Sequence, residues 1–253
     1  MKMLEVKNLY KSYKVGNKNY PVLQGVDVNI EKGEFVSVMG PSGSGKTTLL
    51  NCISNFIPYE SGEVILNGEN MEKLTEDELA IVRNEKLGFV FQDFMLLDGL
   101  TVFENICMPK IIKEDDWREM EDKANKLLDI FGIKEIADKY PVEISGGQKQ
   151  RVAVARSLMN DPLIILADEP TGNLDSKSSE AVIKSFIEAK KKLGATIFMV
   201  THDTISASYC DRVIVMKDGK IFTELKNSGN RKEFFDELLG VLKELGGDGN
   251  DNE

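Results

Sequence analysis

The chain has 253 residues, a length that predicts one large domain or one domain with a smaller subdomain. It carries 42 acidic and 32 basic residues, and this net charge of −10 argues against a protein that follows a nucleic-acid backbone through a broad basic face. A single histidine excludes a histidine-rich metal site, and three cysteines without a CxxC pair indicate a reducing compartment. Because of the acidic net charge, we expect no nucleic-acid partner.

The N-terminus alternates apolar and polar residues, which predicts a strand rather than a signal peptide. The longest apolar runs, such as residues 163–167, are far shorter than the ~18 residues that cross a bilayer. We expect any link to a membrane to go through a partner.

Strands separated by turns dominate the first third of the chain. The predicted strands are residues 3–13, 26–30 and 35–39, and a hairpin turn is predicted at Asn67-Gly68. The third strand is apolar, which is typical of a buried central strand. We expect an antiparallel β region near the N-terminus.

Helical patterns fill the middle of the chain. Segments beginning at Thr75 and Thr101 have the S/T-x-x-E spacing, in which a hydroxyl and a carboxylate pair with backbone N–H groups at a helix start. From Asp115, apolar residues recur at steps of three and four until Gly132 stops the pattern. We interpret residues from about 93 to 150 as a helical subdomain.

After Gly146, helices and strands alternate. The predicted order is a helix, a strand at 163–168, a helix at 176–193, a strand at 196–201, a short helix, a hairpin and a final helix from Asn230. Such alternation predicts an α/β fold with a mainly parallel sheet. We expect a single domain over residues 1–245 and a disordered acidic tail at 246–253.

A glycine-rich segment between the third strand and a helical run fits G-x-x-x-x-G-K-[ST] from Gly40 to Thr47. Its glycines let successive backbone N–H groups point at phosphate oxygens, and the helix N-terminus adds partial positive charge. In such a loop Lys46 reaches the β- and γ-phosphates and Thr47 offers its hydroxyl to Mg²⁺. The alternative is a simple Gly/Ser turn, which the flanking strand and helix argue against.

Two carboxylates, Asp168 and Glu169, end the strand at 163–168. Because open α/β sheets bind ligands at the carboxyl ends of their strands, we expect both to face the crevice of the phosphate loop. Asp168 suits the Mg²⁺ shell, and Glu169 is suited to polarise the water that attacks the γ-phosphate. The alternative is that these acids only end a strand and cap a turn.

The single histidine, His202, follows another apolar strand. A solitary histidine is more often structural than catalytic, but this one falls at the carboxyl end of a strand, as Asp168 and Glu169 do. A neutral imidazole there can hydrogen-bond the γ-phosphate or the attacking water.

Residues 144–151 read ISGGQKQR and place a serine hydroxyl and two glycine amides at the start of an amphipathic helix, a further anion site. With the phosphate loop and the two-carboxylate strand, this segment resembles the signature of ABC transporter ATP-binding subunits. The resemblance covers nearly the whole chain and implies a P-loop NTPase core that hydrolyses ATP with Mg²⁺. Ile144 departs from the usual leucine, a change that we do not expect to affect phosphate contact.

The resemblance assigns a role to each motif. Gln92 resembles the Q-loop glutamine, Asp175 the D-loop aspartate and His202 the switch histidine. Catalysis is accordingly expected of Glu169, His202 and Lys46. The residues expected to hold metal are Thr47, Gln92 and Asp168.

Tyr13 resembles the aromatic residue on which adenine stacks in this family. The alternative is a strand tyrosine that only packs, since Tyr10 and Tyr20 lie nearby. The residues expected to bind ATP are Tyr13, Gly40, Pro41, Ser42, Gly43, Ser44, Gly45, Lys46, Thr47, Thr48, Ser145, Gly146, Gly147, Gln148 and Asp175.

The resemblance also implies partners. ATP is expected between two copies in a head-to-tail homodimer, held by the phosphate loop of one copy and the signature of the other. An integral-membrane permease is expected at a groove beside Gln92, which places the chain in the cytoplasm, peripheral on the inner face of the membrane. The apolar segment 94–97 either lines that groove or packs the subdomain core.

The sequence around the motifs resembles one branch of this family. Segments 87–97 and 167–175 resemble the branch of macrolide efflux, lipoprotein release and antimicrobial-peptide resistance. Segments 206–213, 217–219 and 231–247 resemble the bacitracin-resistance type, in which two ATPase copies serve one large permease that can signal to a sensor kinase.

Two other classes compete with a transport ATPase. Coiled-coil ABC ATPases of DNA repair need a long insertion between Lys46 and Ser145, which here are only 99 residues apart. A P-loop kinase would lack the SGGQ helix start and would need an acceptor site, for which the sequence offers no candidate.

Overall fold

The computed structural model describes residues 1–113 and 116–247, which form both strands and helices. The strands are β1 Lys2–Val15, β2 Lys18–Glu31, β3 Phe35–Met39, β4 Ser61–Leu66, β5 Glu69–Asn70, β6 Leu87–Phe91, β7 Ile164–Asp168, β8 Ile197–Val200, β9 Arg212–Lys217 and β10 Lys220–Lys226. The helices are α1 Lys46–Ile53, α2 Glu76–Glu85, α3 Val102–Ile112, α4 Trp117–Phe131, α5 Gly146–Ser157, α6 Ser176–Leu193, α7 Thr204–Ala207 and α8 Arg231–Gly247. Short 3₁₀ turns occupy Met71–Lys73, Lys134–Ile136 and Pro141–Glu143.

Contacts divide the chain into two units. The terminal unit comprises residues 2–31, 35–72 and 200–247, and the central unit comprises residues 32–34 and 73–199 together with Met1. Across the described ranges of both units, no helix combines the length and the apolar character needed to cross a bilayer.

The terminal unit contains an antiparallel sheet in the order β2-β1-β4-β5. Its β4–β5 turn is the predicted hairpin, with φ of +49° at Asn67 and +86° at Gly68, as the commonest two-residue hairpin turn requires. The antiparallel β region expected near the N-terminus is therefore confirmed.

The terminal unit also contains β3, which pairs parallel to β9, and β10, which returns antiparallel to β9. Every residue of β3 is buried, as expected for a central strand. The carboxyl end of β3 leads directly into the phosphate loop, so the apolar strand fixes where that loop begins.

The central unit contains the parallel pair β6 and β7 and the helices α2 to α6. Helix α4 buries Met120, Ala124, Leu127, Leu128 and Phe131. Trp117, the first apolar position of that pattern, departs from it because the residue is 53% exposed. The centroid of its ring lies 6.0 Å from the centroid of the Phe103 ring.

Parallel strand pairs with helices between them confirm the predicted α/β class. Helix α8 continues through Gly247, two residues into the expected tail, and residues 248–253 lie outside the described part. Asp115, from which the α4 pattern was counted, also lies outside it. The boundaries of the domain and of the helical subdomain stay predictions.

Candidate functional site

The phosphate loop, Gly40–Thr47, needs its glycines because neighbouring backbone leaves no room for side chains. A Cβ on Gly40 would lie 2.1 Å from the Met216 carbonyl oxygen, and one on Gly45 would lie 2.7 Å from the Val22 carbonyl oxygen. Both glycines, and Gly43 with a φ of +80°, also occupy left-handed backbone that side chains disfavour. The loop is therefore held in one path between β2 and β9.

Helix α1 differs from the other α-helices of the described chain in having no side-chain cap. Its N-cap is Gly45, and no acidic residue lies in its first turn. The other helices are capped by Thr75, Thr101, Asp116, Ser145, Asp175, Asp203 and Asn230. The positive end of the α1 dipole is thus left for a ligand, and it favours an anion.

Two side chains of the loop fit a bound phosphate. The Lys46 ammonium is buried and donates to the carbonyl oxygens of Gly40 and Pro41, both at 2.9 Å. The Ser44 hydroxyl is buried without a hydrogen-bond partner among the described residues. Buried polar groups are normally paired, so a phosphate oxygen at this hydroxyl would supply the missing partner.

Gln24, which the sequence did not single out, ties β2 to the β9–β10 turn, and the same turn is hydrogen-bonded to the phosphate loop. The Gly219 N–H donates to the Ser44 carbonyl at 3.3 Å, and Gln24 N donates to the Gly219 carbonyl at 2.9 Å. The side-chain Nε2 of Gln24 donates to the Asp218 carbonyl at 2.8 Å. Because these partners are backbone groups almost 200 positions away, no local pattern could have revealed the contact.

Tyr13 lies on β1 opposite Tyr20 and is 42% exposed, with Lys11 Nζ 5.1 Å from its ring centroid. Tyr13 is therefore not a core residue. The same hairpin carries Val22, whose carbonyl lies beside Gly45.

His202 is exposed and follows the end of β8 in the terminal unit. Thr201 N donates to the Val38 carbonyl at 3.1 Å, two residues before Gly40, and Asp203 N donates to Thr201 Oγ1 at 3.0 Å. Within the terminal unit, these bonds place His202 directly after Thr201, which is hydrogen-bonded to β3 near the end from which the phosphate loop begins.

In the central unit, Gln92 and Glu169 follow directly after paired positions. Phe91 lies opposite Asp168 in the parallel register of β6 and β7. Glu169 has a φ of +46°, a conformation that costs energy for a residue with a side chain. Such strain is typical of functional sites. It could not be predicted from the sequence, because the residue at this position is not a glycine.

A network around Asn173 fixes Gln92. The Gln92 Nε2 donates to Asn173 Oδ1 at 3.0 Å, and Asn173 Nδ2 donates to Asp93 Oδ1 at 2.9 Å. A Cβ on Gly172 would lie 2.9 Å from Gln92 Nε2, so glycine leaves room for this amide. Asn173 is a second residue to which the sequence assigned no role.

Ser145 to Gln148, the signature segment, begins α5 with a reciprocal cap. Ser145 Oγ accepts from Gln148 N at 3.3 Å, and Gln148 Oε1 accepts from Ser145 N at 2.9 Å. Cβ atoms on Gly146 and Gly147 would lie 3.0 Å from Leu174 Cδ2 and from Ser178 Cβ, respectively. The glycines thus allow the signature segment to lie against the start of α6.

Asp175 caps that helix. Its Oδ1 accepts from Lys177 N and Ser178 N, each at 3.0 Å, and its Oδ2 accepts from the Ser178 hydroxyl at 2.8 Å. The Ser178 N–H and hydroxyl hold the pKa of Asp175 below its ordinary value. The carboxylate is therefore ionised at neutral pH.

The predicted site residues divide between the two units. The terminal unit holds Tyr13, Gly40, Pro41, Ser42, Gly43, Ser44, Gly45, Lys46, Thr47, Thr48 and His202, and the central unit holds Gln92, Ser145, Gly146, Gly147, Gln148, Asp168, Glu169 and Asp175. Neither of the ranges 1–113 and 116–247 contains a cluster of three or more His, Cys, Asp or Glu able to hold a metal.

Comparison with known proteins identifies the family. The ABC transporter family matches residues 23–172, well over half of the chain, including the phosphate loop, the signature segment and Glu169. The chain belongs to the ABC transporter family. This membership confirms the resemblance drawn from the motifs.

Relatives of this ABC protein match along almost their whole length. It is 48% identical to the bacitracin export ATP-binding protein BceA of Halalkalibacterium halodurans, over all of both chains. It is also 48% identical to the ABC transporter ATP-binding protein YxdL of Bacillus subtilis, over 98% of this chain and 96% of that protein.

A solved structure supports the enzymatic assignment. The dimeric, post-hydrolysis ATP-binding cassette MJ0796 of Methanocaldococcus jannaschii, bound to ADP and Pi, is 41% identical and superposes with a TM-score of 0.80. The superposition covers 90% of this chain and all of the MJ0796 chain. The chain is an ATP-binding subunit of the ABC type and an ATPase, as predicted.

Proposed function

We propose that this ABC ATPase works as a head-to-tail homodimer in its ATP-bound state and drives a separate integral-membrane permease that confers resistance to bacitracin-like peptides. The observation that carries ATP binding is the phosphate loop, where a buried ammonium and an unpartnered buried hydroxyl lie at the one α-helix without a side-chain cap in the described chain. The dimeric state of MJ0796 supports the pairing, and the full-length match to BceA supports the peptide branch.

In this proposal the loop binds the ATP phosphates. Lys46 exchanges its two carbonyl partners for β- and γ-phosphate oxygens, and the backbone N–H groups from Gly43 onward bind the rest. The signature segment of the second copy, through Ser145 Oγ, closes on the γ-phosphate. Ser145 already uses an oxygen lone pair for its cap, so its hydroxyl proton is the group that binds phosphate.

Glu169 acts as general base on the attacking water, and His202 hydrogen-bonds the γ-phosphate or that water. Thr47, Asp168 and Gln92 would hold Mg²⁺, which supplies charge neutralisation on the phosphate oxygens when bound. Gln92 donates through Nε2 to Asn173, and this orients its amide oxygen as the ligand atom. Hard oxygen donors of this kind are the ligands that Mg²⁺ prefers.

Tyr13 contributes by stacking on adenine. Tyr13→Ala is expected to weaken ATP binding about 10-fold, because stacking on an aromatic ring stabilises a base by about 1–3 kcal/mol. Titration with a fluorescent ATP analogue measures the change. Tyr20→Ala is the matched control, since Tyr20 is the exposed cross-strand partner of Tyr13, and an equal loss in both variants would contradict a specific role.

The permease surface includes the apolar segment 94–97. Met95 is 57% exposed and Leu97 48% exposed, which supports the groove rather than the subdomain core for these two side chains. Docking there would hold the ATPase on the inner face of the membrane, with a sensor kinase reached through the permease.

A charge in this surface tests the docking. Leu97→Asp is expected to reduce co-sedimentation with permease-containing membranes about 10-fold while the ATPase rate stays near that of the wild type, because a buried carboxylate without a partner is unfavourable. Val15→Asp, which alters an exposed apolar residue in the terminal unit, is the control. Unchanged sedimentation of the Leu97 variant would overturn the assignment.

Resistance in cells tests the substrate class. A bacterium that lacks its own exporter, given this chain and its permease, should survive a higher bacitracin concentration, and Glu169→Gln should remove that protection. Protection against a macrolide but not bacitracin would instead support the macrolide-efflux alternative.

A further inference from the structure

Residues 93–95, which directly follow Gln92, form a strained three-residue turn. Met95 N donates to the Asp93 carbonyl at 2.6 Å, and Phe94 at the centre has a φ of +62°. A turn of this hand is rare and strained, and Met95 continues it with a φ of +49°. Two successive non-glycine residues in left-handed backbone persist only where the surroundings hold them.

Helix α5 supplies groups that hold this segment at both ends. Gln150 is fully buried, and its Nε2 donates to the Phe91 carbonyl at 3.1 Å, just before Gln92. Arg156 donates through Nη2 to the Phe94 carbonyl at 2.9 Å and through Nη1 to the Met95 carbonyl. One helix therefore binds the backbone on either side of Gln92.

The chemistry of Arg156 suits two carbonyls at once. A guanidinium presents parallel N–H donors in a rigid plane, whereas a lysine ammonium is a single point of attachment. Burial lowers the pKa of Arg156 to about 10, so the side chain stays protonated at neutral pH. Its charge strengthens both hydrogen bonds to the strained backbone.

We propose that Arg156 is a positioning residue that holds residues 93–95 in their left-handed turn and thereby fixes Gln92 for hydrolysis. The inference rests on the proposed role of Gln92 at the nucleotide. Helix α5 also begins with the signature segment, and the Phe94 ring lies 3.7 Å from where a Cβ of Gly146 would be. Arg156 thus links the helix that carries the signature to the segment that carries Gln92.

The first test removes the donors and keeps an unbranched apolar side chain at position 156. Arg156→Met should lower kcat by up to about 100-fold, because small displacements of a reacting constellation have effects of that size. The Kd for ATP should stay near the wild-type value, since the phosphate loop is unchanged. Arg156→Lys keeps the positive charge but not the paired N–H donors. Its kcat should fall between those of the wild type and Arg156→Met.

The second test uses glycine to relieve the strain. Adding Met95→Gly to either Arg156 variant should restore much of the lost kcat, because glycine adopts positive φ without a steric penalty. Met95→Ala is the matched control, since it removes the same exposed side chain and keeps the penalty. A merely structural Arg156 would give equal results with glycine and alanine.

Hydrogen exchange at the amides of residues 93–95 provides a readout independent of hydrolysis. Exchange should accelerate in Arg156→Met and slow again when Met95→Gly is added, even if Gln92 has no role at the nucleotide. Wild-type kcat and exchange in Arg156→Met would overturn the inference, as would rescue by alanine as complete as rescue by glycine. Faster exchange with wild-type kcat would instead overturn the role of Gln92 and leave the positioning of the turn intact.

Discussion

Glu169→Gln is expected to bind ATP with wild-type affinity and to hydrolyse it about 10²–10⁴-fold more slowly, the usual contribution of a general base. The amide keeps the size and shape of the carboxylate but cannot accept a proton from water. The phosphate loop, which binds the nucleotide, is untouched. Single-turnover hydrolysis and nucleotide titration on the same preparation separate the two effects.

The control for this variant is the same chemical change at a surface carboxylate. Glu135 is exposed in a 3₁₀ turn, and Glu135→Gln should leave both binding and turnover unchanged. Full hydrolysis by Glu169→Gln would remove Glu169 from the catalytic role. Loss of ATP binding would show that the residue acts on the strained backbone at the end of β7 rather than on water.

Local features of the fold were predictable because a few residues determine them. Thr75 and Thr101 form the capping boxes that their spacing with Glu78 and Glu104 predicts. Helix α6 begins after Asp175 and ends before Gly194, which has a φ of +67°. Such helix starts and ends can be predicted from the sequence because each depends on residues within four positions.

Contacts over long sequence distances were not predictable. Arg156 binds carbonyls 61 and 62 positions away, and Gln24 binds one 194 positions away. The partners are backbone carbonyls, which every residue has. No pair of side-chain types in the sequence therefore indicates the contact. The left-handed φ of Phe94, Met95 and Glu169 was not predictable either, since none of the three is glycine.

Lys46→Ala and Ser145→Arg are each expected to abolish hydrolysis when made alone. The first removes the ammonium that the β- and γ-phosphates need. The second replaces the exposed N-cap of α5, so it removes the cap and fills the phosphate-binding position with a long side chain. Each change affects a different half of a site that we propose to be shared between two copies.

Two such chains complement each other only if the dimer is head-to-tail. A mixed dimer pairs the intact phosphate loop of the Ser145→Arg chain with the intact signature of the Lys46→Ala chain, and its other site carries both defects. With equal amounts and random pairing, half of the dimers are mixed and each has one working site. Hydrolysis should then reach about a quarter of the wild-type rate if the sites act independently.

The ATPase rate of this equimolar mixture is the most direct test of a site built from two copies. A site shared between two copies should give a rate far above that of either variant alone and approaching a quarter of the wild-type rate. A mixture no more active than the separate variants, although each still binds to its partner chain, would contradict the shared site.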